Sequence, residues 1–89
     1  MFTIEEAREI LRLDGADNDA IIYPLIDAIP PYLEATTGYI ADGAYSPLAQ
    51  AAGRFLLQLW YYGENADTDK LQRVIDSLLK ALSAERAQA

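Results

Sequence analysis

Residues 3–13 of the chain read TIEEAREILRL, and this stretch sets the pattern for the whole sequence. Thr3 and Glu6 have the spacing of a capping box, in which each side chain accepts a hydrogen bond from the other residue's backbone N–H at the start of a helix. Behind them, apolar residues recur every three or four positions, as on a helix with one buried face: Ile4, Ala7, Ile10 and Leu11. The sequence therefore opens with a short amphipathic α-helix.

Three further segments repeat this pattern, each with its own start and stop signals. They begin near Asp17 or Asn18, at the pair Ser46-Pro47, and within Asp67-Thr68-Asp69. Glycines are placed to end the first three helices: Gly15, Gly38 and Gly63. No segment shows the alternation of a strand. We predict an all-α fold in which four main helices form a small bundle.

The apolar stripes predict which side chains form the core of that bundle. They comprise Ile22, Leu25, Ile29 and Leu33, widened by Ile21 and Ile26; then Leu48, Ala52, Phe55, Leu56 and Leu59; then Leu71, Val74, Ile75, Leu78, Leu79 and Leu82. The second helix also contains Pro24 and the pair Pro30-Pro31, and each proline removes a backbone donor. We expect this helix to be kinked or split at Pro30-Pro31. Residues 1–84 are predicted to form one domain, with a frayed tail at 85–89.

Composition and charge argue against catalysis, metal binding and nucleic-acid binding. The 89 residues include no histidine and no cysteine, so the usual general base, thiolate nucleophile and commonest metal ligand are missing. Three acids lie in the turn between the first two predicted helices, and helix capping explains them: Asp14, Asp17 and Asp19. We therefore predict no catalytic residue, no metal and no cofactor. Residues 1–45 carry nine acids and two bases, against five of each in the remainder, which disfavours specific nucleic-acid binding. No apolar run reaches the roughly 20 residues of a membrane span.

Aromatic residues are the candidates for contact with a partner. Tyr39 and Tyr45 lie in the only long connection, residues 38–46. Trp60 and Tyr61 belong to a run of three aromatics that cannot all face one way at 100° per residue. Trp and Tyr are favoured at the centres of buried interfaces. These four residues are the predicted interface candidates, although the simpler alternative is that two of the three helical aromatics pack inside the domain.

The order of motifs along the chain resembles the head–tail connector (adaptor) proteins of tailed bacteriophages and prophages. The resemblance is carried by five stretches: Phe2–Asp14, Asp19–Ala28, Tyr32–Gly38, Ala49–Tyr62 and Val74–Leu82. The first is similar to the family's hydrophobic-Thr-hydrophobic-Glu-Glu opening, and the third is similar to its Tyr-Ile-Glu-x-x-Thr-Gly run. The prolines of the second helix and the short loop at 39–46 depart from the family's pattern.

The resemblance implies a structural subunit without catalysis. Such proteins form rings of about a dozen copies under the portal protein, extend the DNA channel, and receive the next head-completion or tail protein. DNA would pass through without specific binding, the protein would contact no membrane, and its place would be the head–tail junction of the virion after assembly in the host bacterial cytoplasm. An alternative is a small acidic protein that mimics DNA and binds a basic host protein.

Overall fold

The computed structural model describes residues 1–41, 43–63 and 68–88, without the side chains of residue 68 and residues 86–88. These residues form four α-helices in the order α1 (Ile4–Leu11), α2 (Asp19–Thr37), α3 (Pro47–Tyr62) and α4 (Thr68–Gln88). Within the described ranges there is no β-strand, and the predicted all-α fold is confirmed. Helices α2 and α3 each contact all three of the other helices.

Helix α1 begins as the sequence predicts and ends earlier. The Glu6 backbone N–H donates to Thr3 Oγ1 at 3.1 Å, and the Thr3 N–H donates to Glu6 Oε1 at 3.0 Å, which completes the capping box. The helix stops at Arg12, whose φ of 57° is left-handed. The Arg12 N–H donates to the Glu9 carbonyl and the Leu13 N–H donates to the Arg8 carbonyl, as in a Schellman motif. The prediction that Gly15 ends this helix is therefore wrong.

Helix α2 runs through all three prolines in one segment and ends at Gly38, whose φ is 77°. The predicted split is therefore wrong, whereas a kink stays a prediction. Pro24 and Pro31 are exposed, so the backbone groups that they leave unpaired lie on the solvent side. The buried face consists of Ile22, Ile26, Ile29 and Leu33. Ile21 was expected to widen this face, but it is 59% exposed.

Helix α3 starts at the predicted cap, where the Ala49 N–H donates to Ser46 Oγ at 3.2 Å, and ends at Gly63. Its buried face is formed by Ala49, Ala52, Gly53, Leu56 and Leu57. Gly53 is a point of close approach. A β-carbon there would lie 3.1 Å from the Phe2 ring and 3.3 Å from Ile29 Cγ2, so the glycine lets the N-terminal residues cross the helix.

Helix α4 buries Ile75 and Leu82 completely, and Leu71, Leu78 and Leu79 in part. Val74 was expected in the core, but it is 38% exposed. The helix begins at Thr68, within the predicted start Asp67-Thr68-Asp69, of which Asp67 lies outside the described residues. It continues to Gln88, and the predicted division between a domain at 1–84 and a frayed tail at 85–89 stays a prediction.

Candidate interaction surface

The side of α2 that faces away from the core is mostly uncharged. We call this surface the outer face of α2, and it consists of six exposed residues: Ala20, Ile21, Pro24, Ala28, Pro31 and Ala35. At 100° per residue these positions lie on one side of the helix, opposite the buried isoleucines. A surface helix usually places polar residues opposite its buried stripe. The outer face of α2 departs from that rule and is a candidate contact surface.

One edge of the outer face is acidic. Asp27 and Glu34 are both exposed, and their separation of seven residues places them on the same side, two helical turns apart. Tyr23 lies on the same edge one turn before Asp27 and is 51% exposed. The surface therefore combines an apolar strip, which gains free energy when water is removed, with two carboxylates that select the charge of whatever binds.

The loop tyrosines lie next to the C-terminal half of α2. The Ser46 N–H donates to Tyr39 Oη at 2.9 Å, and the rings of Tyr39 and Tyr45 are 6.4 Å apart between centroids. Both rings are partly buried against the core, whereas Ile40 is 71% exposed. Together with α2 they border a groove of about 270 Å³, lined by Pro30, Pro31, Leu33, Glu34, Tyr39, Ile40, Ala41 and Tyr45. Two of the four predicted interface residues thus adjoin the outer face of α2 through Pro31.

The other two predicted interface residues hold the domain together. The Trp60 ring meets the Tyr32 ring edge to face, with centroids 5.3 Å apart and planes at 87°. Tyr61 Oη accepts a hydrogen bond from the Asn18 side-chain amide at 2.7 Å. Both aromatics are partly buried against the core. Trp60 connects α3 to α2, and Tyr61 connects α3 to Asn18, the residue before α2.

The third aromatic of the run is the one that lies nearest to solvent. Tyr62 is 38% exposed, and its hydroxyl donates to the Leu11 carbonyl at the end of α1. Since Trp60 lies 13 residues beyond the first residue of α3, roughly 20 Å of helix separates it from the loop tyrosines. The structure therefore does not bring the four predicted residues into one site.

Within the described part of the chain, three side chains have shifted pKa values, and each shift is explained by a contact within the domain. A hydrogen bond from the Arg8 guanidinium, with Arg8 Nε 3.0 Å from Asp19 Oδ1, lowers the pKa of Asp19. The same bond raises the pKa of Arg8. At the start of α1, the backbone and hydroxyl of Thr3 lower the pKa of Glu6. Each group is therefore an ion-pair or capping partner.

The acidic turn between α1 and α2 does not gather into a binding site. Asp19 turns to Arg8, whereas Asp14 and Asp17 are exposed. Among the described residues no group of three His, Cys, Asp or Glu side chains is arranged to hold a metal ion. In the same part of the chain no helix combines the length and apolar character needed to cross a membrane.

Sequence reasoning directed attention to aromatics and passed over the outer face of α2. The available signal was that helix's charge pattern: between residues 20 and 37 the only charged residues are Asp27 and Glu34. Comparison of the chain with protein-family models, with curated proteins and with solved structures finds no match.

Proposed function

We propose that this chain is a structural subunit of a head–tail connector ring in a tailed bacteriophage or prophage. It would dock under the portal protein, extend the DNA channel and receive the next head-completion or tail protein. The proposal starts from the order and spacing of the five stretches that resemble connector proteins. It assigns no catalytic role to any residue.

The observation that carries the proposal is the outer face of α2. An apolar helix face of six exposed residues, in a domain of 89 residues, is a surface suited to contact with another protein. Small domains gain stability by association because they bury a smaller fraction of their surface than large ones. A subunit of a ring needs such surfaces, since each copy must contact two neighbours.

The distribution of charge supports the same role. Residues 1–45 hold nine acids and two bases, so this half of the chain repels DNA phosphates. A channel through which DNA slides must not retain it, and an acidic lining would meet that requirement. The DNA-mimic alternative uses the same charge, but it gives no role to the uncharged outer face of α2.

The experiment that tests the proposal is assembly of the purified chain with the portal protein encoded nearest to it. We expect electron microscopy and native mass spectrometry to detect a ring of about a dozen copies bound under the portal ring. The variant Ile21→Glu tests the role of the outer face of α2, because it places a carboxylate there. We expect it to weaken assembly without changing helicity.

Two outcomes would contradict the proposal. One is a chain that stays monomeric at millimolar concentration and in the presence of the portal ring. The other is salt-sensitive binding to a basic host protein with no affinity for the portal, which would favour the DNA mimic, because exposed charge interactions weaken as ionic strength rises.

A further inference from the structure

The outward side of α4 carries charges opposite to those on α2, at the same spacing. Arg73 and Lys80 are exposed and seven residues apart, as are Asp27 and Glu34 on α2. In an α-helix this spacing corresponds to roughly 10 Å along the axis. Beside the two bases lie exposed small or apolar residues: Val74, Ser77, Ala81 and Ala84. We call these residues and the two bases the outer face of α4.

We infer that the outer face of α2 binds the outer face of α4 on a second copy of this chain. The two acids would pair with the two bases, while the uncharged strips meet between them. Small side chains on both helices allow their axes to approach to the 8–10 Å typical of packed helices. This inference rests on the proposed function, because it names the contact by which neighbouring subunits of the ring would join.

The handedness of the helices determines the orientation of this contact. Counting 100° per residue, Asp27 and Glu34 lie at the same edge of the α2 outer face as Arg73 and Lys80 do on α4. When two helices pack face to face, parallel axes bring opposite edges together and antiparallel axes bring equivalent edges together. The charges therefore require antiparallel packing, in which Asp27 meets Lys80 of the second copy and Glu34 meets Arg73.

Charge also favours this contact over a symmetric one between two α2 helices. An α2–α2 contact would place four carboxylates together, since Asp27 and Glu34 are the only charges among residues 20–37. Pairing α2 with α4 instead sets the acidic half of one copy against the half that carries five acids and five bases. Asp76 does not oppose the pairing, because it lies outside the basic edge and accepts a hydrogen bond from Gln72 at 2.9 Å.

The geometry is head to tail, because the two contacting surfaces are different and each copy carries both. Such heterologous contacts form rings when the rotation between neighbours closes, and open filaments when it does not. The contact requires no residue of the core, so substitutions on either outer face leave folding intact and change assembly alone.

Charge reversal tests the pairing. The variant Asp27→Lys/Glu34→Lys carries bases on both faces, and Arg73→Glu/Lys80→Glu carries acids on both. Measured by sedimentation velocity, each alone is expected to associate at least roughly tenfold more weakly than the natural chain. An equimolar mixture is expected to recover association, because every contact then joins opposite charges. Far-ultraviolet circular dichroism serves as the control for folding. If each variant alone associates like the natural chain, or the mixture fails to recover, the inference is overturned.

Disulfide cross-linking tests the orientation, and the absence of native cysteine leaves no background. Antiparallel packing places Ala28 near Ala81 of the second copy. Ala28→Cys/Ala81→Cys is expected to give a ladder of covalent oligomers under mild oxidation. The control Glu5→Cys/Ala28→Cys, with its first cysteine on exposed α1, is expected to give none. Dimers formed by Ala28→Cys alone would overturn the inference in favour of an α2–α2 contact.

The two proposals can fail separately. A portal-bound ring that does not cross-link through Ala28→Cys/Ala81→Cys overturns the α2–α4 contact and leaves the connector proposal standing. A cross-linked closed dimer or filament with no affinity for the portal supports the contact and contradicts the connector. A chain that neither associates nor cross-links overturns both.

Discussion

Substitution of Trp60 tests whether this residue stabilises the domain or contacts a partner. Its position in an aromatic run predicts a contact for a partner, whereas its ring packs edge to face on Tyr32 with centroids 5.3 Å apart. Because Tyr32 belongs to α2 and Trp60 to α3, this ring pair joins the two helices. We expect Trp60→Ala to lower the stability of the domain, whether or not the protein assembles.

The size of the effect follows from the area that the ring covers. A buried Trp removes about 150–250 Å² from water, and a partly buried one removes roughly 100–150 Å². At about 25 cal/mol per Å² this burial contributes about 3 kcal/mol. The edge-to-face pair adds about 1 kcal/mol. Against a total stability of roughly 4–13 kcal/mol for a chain of this length, the loss lowers the Tm by about 15 °C or more.

Thermal unfolding followed by circular dichroism measures this effect, and a double-mutant cycle isolates the ring pair. Trp60→Ala and Tyr32→Ala are expected to be coupled by about 1 kcal/mol. The matched control is Tyr23→Ala, since that ring is 51% exposed on α2 and its loss should change stability by less than about 0.5 kcal/mol. If Trp60→Ala left the Tm unchanged and abolished self-association, Trp60 would be an interface anchor and the packing argument would be refuted.

Three further changes test individual contacts. Thr3→Ala removes the N-cap of α1 and is expected to cost about 1 kcal/mol in chemical denaturation, whereas Thr3→Ser should retain most of it. Asp19→Asn should lower the Tm at neutral pH. Because the Arg8 hydrogen bond lowers the pKa of Asp19, its stabilisation is complete above pH about 4 and is lost as the pH falls through the folded-state value, so natural and variant Tm values should converge in acid. Tyr62→Phe removes the donor to the Leu11 carbonyl and should cost about 1 kcal/mol; an unchanged midpoint would show that water replaces the hydroxyl.

The parts of the fold that follow from local chemistry could be read from the sequence. The capping box at Thr3 and the Ser46 cap use side chains within three residues of the amides they bond. Gly38 and Gly63 end their helices with positive φ, which glycine adopts without strain. In these cases the residue and its partner are neighbours in the chain, so spacing alone identifies the interaction.

Contacts between distant segments left no such signal. The end of α1 illustrates this, because the helix stops at Arg12, in the left-handed conformation, and not at the predicted Gly15. Its last carbonyls are bonded from α3: Gln58 Nε2 donates to Ile10 O at 3.4 Å, and Tyr62 donates to Leu11 O, across 48 and 51 residues. Leu13, one residue after Arg12, packs against the core. The helix therefore ends where tertiary contacts need it to end, ahead of the glycine.

The same reasoning applies to the aromatic residues that the sequence offers as interface candidates. Large aromatics are enriched at interfaces, but a domain of 89 residues also needs them for its own core, and Trp60 and Tyr61 are used there. What the fold leaves over is the outer face of α2, where alanine, proline and isoleucine replace the expected charges. An exposed surface without charge contributes nothing to the stability of the isolated subunit. Its free-energy gain is realised only when another surface covers it.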